Sequence, residues 1–393
     1  MESASAPAEP LPKAPGYGQS SVAEVLTSAA AALSVPGYTN TLGLPAARRV
    51  CVIMVDGLGR SLLKQRSGHA PYLRSLMHTG RTLSAAFPTT TAASLASLGT
   101  GLAPGQHGMV GYDVLDPGQD KVVNMLGNWD AGVDPKLWQP FPTVLERVAE
   151  HLPVATVSLP RFGDSAMTRA ALRGGTFVAG TGIHARVQAA AETLASEKRM
   201  LMYFYFNELD KAGHRYGAQS SEWGGALEEI DSALKRFSTR LPPDTLVLLT
   251  GDHGMVDTAV QDRFDFSSDP RLVEGVRHTA GEPRMVHLYL EPDAPAAARE
   301  DLRAAWRQAY GAKAWILTRA EAVEAGLFGS VRPEVLPRIG DLLIAAREPI
   351  ALYDMRRTNP SALQMVGQHG SLTRAEREVP LLTLAQPAKG GRK

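Results

Sequence analysis

The sequence predicts an α/β sandwich with a mostly parallel central sheet. Short segments of strand length alternate with longer segments of helical periodicity along most of the 393 residues. The strand-length segments are apolar almost throughout, which is typical of strands that helices cover on both faces of a sheet. Alternation of this kind indicates parallel strands joined by helical crossovers.

Seven strands and six helices are predicted along the chain. The predicted strands are 50–55, 154–158, 201–206, 245–250, 285–290, 341–345 and 379–384. The predicted helices are 22–33, 70–78, 143–151, 184–198, 222–238 and 296–310.

The domain organisation follows from where this alternation stops. Between 261 and 338 polar and Pro-rich segments outnumber the strands, so we expect a cap subdomain there. The catalytic core is then discontinuous and comprises 21–260 and 339–386. The Pro-, Ala- and Ser-rich segment 1–20 is expected to be a disordered leader, and 387–393 a disordered tail.

Charge and composition exclude several classes of protein. Lys plus Arg is 41 and Asp plus Glu is 40, so no general attraction to a nucleic-acid duplex or an anionic membrane is expected. One cysteine excludes an intrachain disulfide and a thiolate metal cluster. Glu2 and Glu9 stand where a secretion signal would be basic, and no apolar run reaches about 20 residues. These features predict a cytoplasmic protein. A monomer and a small homo-oligomer both stay open.

Potential metal ligands follow three of the predicted strands. Asp56 follows 50–55, the segment 207–214 with Asp210 and His214 follows 201–206, and Asp252-His253 follows 245–250. Ligands bind beyond the carboxyl ends of strands in open α/β sheets, so we expect these side chains at one edge. His369 lies in a further glycine-rich loop, 367–370. Three aspartates and three histidines match two divalent cations held by oxygen and nitrogen.

Each of these residues also has an ordinary structural interpretation. Asp56 alone is as readily a turn or helix-cap residue, and Asp210 with His214 is as readily an ion pair on one helical turn. Thr91, after Pro88, has the common role of a helix N-cap. The same position places its hydroxyl in the positive potential of a helix N-terminus, where a phosphate can bind. Beside a divalent cation the hydroxyl becomes a candidate nucleophile.

Six motifs occur in order along the chain. They are VIMVDG at 52–57, FPTTT at 87–91, TGL at 100–102 with Pro104 and His107-Gly108 after it, DxxGH at 210–214, GDHGM at 251–255 and GxHG at 367–370. Together they resemble the alkaline phosphatase superfamily, in particular its nucleotide pyrophosphatase/phosphodiesterase and phosphonoacetate hydrolase branch. Within that branch the chain resembles actinobacterial cytosolic phosphodiesterases that degrade cyclic di-AMP. The resemblance implies an alkaline-phosphatase-like three-layer sandwich.

The resemblance also implies an activity, that of a metal-dependent phosphoric diester hydrolase. Asp210, His214 and His369 would hold one zinc or manganese ion, and Asp56, Asp252, His253 and the Thr91 oxygen the second. Thr91 would attack phosphorus and form a phosphothreonine, which water then hydrolyses. The expected substrate is a nucleotide phosphodiester, specifically cyclic di-AMP and its linear dinucleotide, hydrolysed to AMP.

Two other functions stay open. A phosphonoacetate hydrolase or a phosphomonoesterase would use the same metals, and an inactive binding protein would share the fold. The chain also departs from the branch in one motif, because an asparagine that contacts phosphate usually follows the His107-Gly108 pair. Tyr112 occupies that place, so Tyr112, Asn124 and Asn128 are the candidates for this contact.

Overall fold

A computed structural model describes residues 10–127, 129 and 132–387 of the chain. Its core is a seven-stranded sheet. Five neighbouring strands of this sheet run parallel to one another, and Thr245–Thr250 is the first of the five. The strand Glu378–Ala385 pairs antiparallel with Thr245–Thr250 on one side and with the edge strand Arg81–Ser84 on the other. The strand order is Arg81–Ser84, Glu378–Ala385, Thr245–Thr250, Arg49–Val55, Met200–Phe206, Val154–Ser158 and Thr176–Ala179. The predicted α/β fold with a mostly parallel sheet is confirmed.

Helices cover both faces of this sheet. Alternate residues of Arg49–Val55 pack into different apolar clusters, with Val52 in one and Ile53 in the other, as the two-residue period of a strand requires. On the Val52 face lie Ala23–Ala32, Thr91–Thr100 and Val144–Ala149. On the Ile53 face lie Arg60–Gln65, Pro71–Leu76, Ile183–Ser196 and Ser221–Ser238. The result is three layers, helix, sheet and helix.

Local sequence signals explain several helix starts. Thr143 and Glu146 form a reciprocal capping box at the start of Val144–Ala149, and Thr318 and Glu321 do the same for Arg319–Glu324. The Ser220 hydroxyl accepts a hydrogen bond from the Trp223 N–H and caps the 18-residue helix Ser221–Ser238. The remaining α-helices are Pro104–His107, Pro135–Trp138, Glu208–Tyr216, Ala296–Tyr310 and Arg374–Arg377.

The smaller lobe is built on a four-stranded antiparallel sheet. Its strand order is Val276–Glu282, Met285–Leu290, Leu342–Ala346 and Ala314–Thr318. The helix Ala296–Tyr310 packs on it through Leu302 and Trp306. The described residues also form three two-stranded pairs, Asp113–Asp116 with Lys121–Asn124, Val256–Asp257 with Gly367–Gln368, and Arg263–Asp265 with Ala351–Tyr353.

This lobe extends beyond the expected cap, 261–338. The strand predicted at 341–345 was expected in the resumed core, yet Leu342–Ala346 pairs with Met285–Leu290 and Ala314–Thr318. The physical reason is that a short apolar strand has the same sequence pattern in either sheet, and only its pairing partners distinguish them.

The N-terminal segment also differs from expectation where it is described. Residues 1–9 of the expected leader lie outside the described residues. From 10 to 20 the chain packs on the protein, because the Tyr17 hydroxyl donates to the Leu327 carbonyl and accepts from the Phe87 N–H, at 3.2 and 3.0 Å. One aromatic side chain thus anchors a segment whose composition predicted disorder. Of the expected tail, 388–393 lies outside the described residues.

Among the described helices, none has the length and apolar character needed to cross a membrane.

Candidate active site

Three neighbouring parallel strands deliver the predicted ligands to one edge of the central sheet. Val55 pairs with Phe206 and Met54 pairs with Thr250, so Arg49–Val55, Met200–Phe206 and Thr245–Thr250 end together. The residues that follow them therefore converge. Gly57 makes the turn after Asp56 at φ 74°, and a Cβ there would lie 3.1 Å from the Asp210 Cα, so the turn needs glycine.

One group of ligand atoms comprises Asp56, Asp252 and His253, all buried. Nε2 of His253 lies 3.4 Å from Oδ1 of Asp56 and 3.5 Å from Oδ2 of Asp252. The other oxygen of Asp252 accepts hydrogen bonds from the backbone N–H groups of Gly57 and His253, at 3.0 and 2.9 Å. These bonds fix the carboxylate and leave Oδ2 directed at the site.

The second group comprises Asp210, His214 and His369. Asp210 and His214 lie one turn apart on Glu208–Tyr216, with 3.4 Å between Oδ1 and Nε2. The ring of His369 lies 5.1 Å from that of His214 and stacks on that of His253 at 3.6 Å between centroids. Ligand atoms of Asp210, His253 and His369 all lie within 4.8 Å of one another. The structure thus brings all six predicted ligands into one cluster.

The three histidines are oriented alike. In each, Nδ1 lies within hydrogen-bonding distance of a backbone carbonyl, that of Gly367 for His214, Gly254 for His253 and Thr89 for His369, at 2.8, 2.9 and 2.9 Å. An Nδ1–H that donates there leaves the Nε2 lone pair free for a metal, which is the usual arrangement of metal-binding histidines.

The electrostatics of the cluster fit divalent cations. Burial, followed by the carboxylates of Asp252 and Asp210, raises the pKa of Asp56 well above its usual value. Burial and the imidazoles of His253 and His214 lower the pKa of His369 well below its usual value, so its ring is neutral. Oδ1 of Asp210 and Oδ2 of Asp252 are buried with no hydrogen-bond partner among the described residues. Such a cluster lacks positive charge, and its oxygen and nitrogen donors suit zinc or manganese.

Thr91 lies beside this cluster at the start of the helix Thr91–Thr100. Its hydroxyl oxygen is 3.1 Å from Nε2 of His253 and 3.4 Å from Oδ1 of Asp56. The two preceding threonines have other surroundings. Thr89 donates to the Ser371 carbonyl and accepts from the Gly370 N–H, whereas the Thr90 hydroxyl is buried with no partner among the described residues. Of the three, Thr91 is the one whose hydroxyl meets the ligand cluster.

The phosphate contact that the sequence left open has several candidates in the structure. Tyr112 is 37% exposed and lines the cavities on both sides of the cluster. The Asn124 amide donates instead to the Asp113 carboxylate at 2.9 Å. Asn128 lies outside the described residues. Asn207, which directly follows Met200–Phe206, lines the same cavity as Thr91 and was missed.

Tyr205 is a further residue of the site that the sequence motifs did not predict. Its hydroxyl donates to Oδ2 of Asp56, and this hydrogen bond opposes the rise in the pKa of that carboxyl. The signal was present in the strand sequence MLMYFYF, where Tyr203 and Tyr205 are two residues apart and thus share one sheet face. Which face of the strand meets the ligand cluster is set by the packing of the sheet, and the strand sequence does not specify it.

Comparison with known proteins agrees with this geometry. The model of the type I phosphodiesterase / nucleotide pyrophosphatase family matches residues 50–372. The chain belongs to this family. The family consists of metal-dependent hydrolases and is part of the alkaline phosphatase superfamily.

One curated relative of this chain is distant in sequence. Bovine (Bos taurus) ectonucleotide pyrophosphatase/phosphodiesterase family member 3 is 26% identical over 238 residues, which cover 56% of this chain and 26% of that protein. The chain thus matches about a quarter of the length of this curated relative.

Solved structures of family members share the fold. Murine ectonucleotide pyrophosphatase/phosphodiesterase 5, in an inactive form in complex with AMP, has a TM-score of 0.67 at 18% identity, over 85% of this chain and 87% of that chain. Phosphonoacetate hydrolase from Sinorhizobium meliloti 1021, in complex with phosphonoacetate, has a TM-score of 0.67 at 17% identity, over 88% and 92% of the two chains. At identities this low, the likeness to these two structures shows the shared fold alone.

Proposed function

We propose that this family member hydrolyses nucleotide phosphodiesters through a phosphothreonine formed on Thr91. Two divalent cations, zinc or manganese, would be held by the six aspartate and histidine ligands, with the Thr91 oxygen as a further ligand. The proposed substrates are cyclic di-AMP and its linear dinucleotide, with AMP as the final product.

The presence of a cavity on each side of the ligand cluster carries this proposal. One cavity, of about 220 Å³, is lined by Thr91, Asp56 and apolar side chains that include Leu95 and Phe162. The other, of about 410 Å³, lies between the core and the smaller lobe. Asp210, His214 and His369 line both of them. A phosphodiester carries a substituent on each side of phosphorus, whereas a phosphomonoester carries one, so two cavities favour a diester.

The charge of the cavities favours the same conclusion. Among the described residues that line them, Arg357 is the only lysine or arginine, and its guanidinium is paired with Asp113 at 2.5 Å. A phosphomonoester or phosphonoacetate brings at least one more negative charge than a diester does, and a site for it needs further cationic groups. The observed lining suits the single negative charge of a diester.

The geometry of Thr91 supports its role as the nucleophile. When bound, two divalent cations would neutralise phosphate charge and hold the attacking and leaving oxygens. As the Thr91 oxygen bonds to phosphorus, the bond to the leaving oxygen breaks, and that oxygen takes up a proton. The Thr91 hydroxyl gives up its proton in the same step. Its oxygen lies 3.1 Å from Nε2 of His253, a proposed metal ligand, and 3.4 Å from Oδ1 of Asp56. Water then breaks the bond between phosphorus and the Thr91 oxygen and restores the hydroxyl. This releases the linear dinucleotide when cyclic di-AMP is the substrate, and AMP when the linear dinucleotide is the substrate.

Two properties of the murine structural neighbour support the specific substrate and the nucleophile. That protein binds AMP, and its inactive form carries a threonine-to-alanine substitution. Both agree with an adenine nucleotide as product and with a threonine as the reacting residue.

A substrate panel tests the proposal. Purified protein with Zn²⁺ or Mn²⁺ is offered cyclic di-AMP, the linear dinucleotide, bis-p-nitrophenyl phosphate, p-nitrophenyl phosphate and phosphonoacetate, with and without chelator. We expect chelator-sensitive hydrolysis of the diesters, with AMP as the end product from both dinucleotides. Faster turnover of p-nitrophenyl phosphate or phosphonoacetate than of every diester would contradict the proposal and favour the corresponding alternative.

A further inference from the structure

Glu282 is a buried carboxyl group that the mechanism above does not use. It is the last residue of the strand Val276–Glu282 in the smaller lobe, and it is 7% exposed. Neither of its carboxyl oxygens has a hydrogen-bond partner among the described residues. The side chain lines the 410 Å³ cavity together with Asp210, His214 and His369. A polar group in this state is costly unless a ligand satisfies it.

The surrounding charges do not compensate Glu282. Arg284, two residues further along, is fully buried, but its guanidinium is engaged by the Glu376 carboxylate. Burial, together with the nearby carboxylates of Asp113 and Glu376, raises the pKa of Glu282 well above its usual value, and the neighbouring Thr90 hydroxyl opposes this rise only in part. The two neighbouring carboxylates thus add to the cost of ionising this buried group.

The loop that carries His369 makes room for Glu282. Gly370 has φ 129°, and a Cβ at this position would lie 2.5 Å from Cγ and 2.9 Å from Oε1 of Glu282. Any larger residue at 370 would therefore displace the Glu282 side chain. The carboxyl is held directly beside the residue that follows a proposed metal ligand, which places it close to the reacting phosphate.

The position of Thr91 shows which part of the substrate this cavity would receive. In an in-line displacement the leaving oxygen departs on the side of phosphorus opposite the nucleophile. Thr91 and Asp56 line the 220 Å³ cavity and are not among the residues that line the 410 Å³ cavity. The larger cavity is thus on the leaving-group side.

We propose, on the basis of the function proposed above, that the 410 Å³ cavity is the leaving-group subsite and that Glu282 determines its specificity by accepting a hydrogen bond from the leaving nucleoside. Phe266, Leu352 and Tyr353 provide apolar walls for the flat faces of such a group. A nucleoside offers two kinds of neutral donor, a ribose hydroxyl and the exocyclic amine of its base. Either would satisfy the buried carboxyl.

The test compares two substrates that differ only in the leaving group. Adenylyl-adenosine, the dinucleotide without a terminal phosphate, releases a nucleoside, whereas the p-nitrophenyl ester of AMP releases p-nitrophenolate, which has no hydrogen-bond donor. The readout is the ratio of kcat/KM for the dinucleotide to kcat/KM for the nitrophenyl ester. Glu282→Met keeps the length of the side chain and removes the acceptor, and we expect it to lower this ratio about 10- to 100-fold. Glu282→Gln retains an acceptor oxygen and should keep more of the ratio than Glu282→Met does.

A matched control is Glu274→Gln, an exposed carboxylate of the same lobe outside the cavity, for which the ratio should not change. Wild-type protein is also offered dinucleotides with deoxyribose or with hypoxanthine in place of adenine. Selectivity against the first that disappears in Glu282→Met identifies the ribose hydroxyl as the donor, and selectivity against the second identifies the amine.

Two results would overturn the inference. An unchanged ratio in Glu282→Met would show that the carboxyl does not contact the leaving group. An equal loss on both substrates would assign Glu282 to support of the ligand cluster instead. The proposed function fails by a different observation, namely that wild-type protein hydrolyses neither the dinucleotide nor the nitrophenyl ester.

Discussion

The Arg284 guanidinium and the Glu376 carboxylate form a two-point ion pair in which neither side chain is exposed to solvent. Nε and Nη2 of Arg284 each lie 2.8 Å from one carboxylate oxygen. Arg284 belongs to the smaller lobe, and Glu376 lies on the core helix Arg374–Arg377. The same carboxylate accepts a hydrogen bond from the N–H of Ser371, two residues after His369. The pair therefore connects the smaller lobe to the loop that carries a proposed metal ligand.

Breaking this pair should destabilise the protein strongly. Glu376→Gln leaves the buried charge of Arg284 without a counter-charge, so we expect the free energy of unfolding to fall by about 3–5 kcal/mol. Urea unfolding measures the change. The control is Arg374→Gln, whose side chain is 76% exposed and whose ion pair with Glu378 should contribute less than about 1 kcal/mol. Equal effects of the two substitutions would show that the buried pair has no special role.

The sequence predicted the ligand cluster for a specific physical reason. Asp56, Asp210, Asp252 and His253 each follow a strand of one parallel sheet, and parallel strands end at a common edge, so sequence position alone determines that they meet. His369 was predicted from its glycine-rich loop and the resemblance of its motif. The remaining site features depend on packing between distant segments. Tyr205 reaches Asp56 across 149 residues, and no local pattern specifies which face of its strand meets the site.

Contacts within the smaller lobe likewise depend on distant segments that local sequence patterns do not specify. Glu282 and Arg284 are two residues apart and both buried, yet one is paired and the other is not. Their difference follows from the position of Glu376, 92 residues after Arg284. The strand Leu342–Ala346 was likewise predicted as a strand but assigned to the wrong sheet, because pairing partners are not encoded in a strand of five buried apolar residues.

Thr91→Ala should abolish most of the diesterase activity while the protein still binds metal. The substitution removes the proposed nucleophile but none of the six aspartate and histidine ligands, so we expect kcat to fall by at least about 10³-fold. Thr91→Ser retains the hydroxyl and should keep a measurable fraction. Peptide mass spectrometry of acid-quenched enzyme should locate a phosphate on Thr91 during turnover.

Thr90→Ala is the comparison for this experiment, because its hydroxyl is buried nearby but makes no hydrogen bond to the ligand cluster. It should lose much less activity than Thr91→Ala. Thr89 is less suitable, since its hydroxyl holds the loop of His369 through Gly370 and Ser371. A phosphate found on Thr90, or an active Thr91→Ala variant without phosphate, would contradict the assignment.

Metal removal should destabilise the protein more at pH 8 than at pH 5.5. Because the pKa of Asp56 is raised in the metal-free fold, this residue stabilises that fold below its unfolded pKa of about 3.9. That contribution is lost as pH rises through the higher folded value. The proposed metal would bind the ionised carboxylate, so it would compete best with protons at high pH. With free metal at about 100 times its Kd at pH 8, each ion should add about 2.7 kcal/mol at that pH, and less at pH 5.5, where the same concentration is a smaller multiple of a weaker Kd.

The lowered pKa of His369 contributes equally to the stability of the metal-free and the metal-loaded fold, because this ring is neutral in both. It therefore cancels from the difference between them. Urea unfolding with metal and with chelator, at the two pH values, measures the effect. A difference that is equal at both pH values, or larger at pH 5.5, would show that Asp56 is not a ligand that must lose a proton.

Tyr205→Phe should weaken metal binding without loosening the core. The hydroxyl donates to Oδ2 of Asp56 and thereby lowers the pKa of that carboxyl, so its removal should favour the protonated form and reduce metal affinity about tenfold. The ring itself is retained and keeps its edge contact with Phe162 at 5.7 Å between centroids. Tyr203→Phe is the matched control on the same strand face, since that hydroxyl is buried with no hydrogen-bond partner among the described residues and its loss should be close to neutral. Calorimetric titration with Zn²⁺ or Mn²⁺ gives the two affinities, and the acid limb of the kcat/KM profile should move to higher pH in Tyr205→Phe alone. If both variants shift by the same amount, the effect belongs to the buried aromatic layer as a whole, and Tyr205 has no particular influence on Asp56.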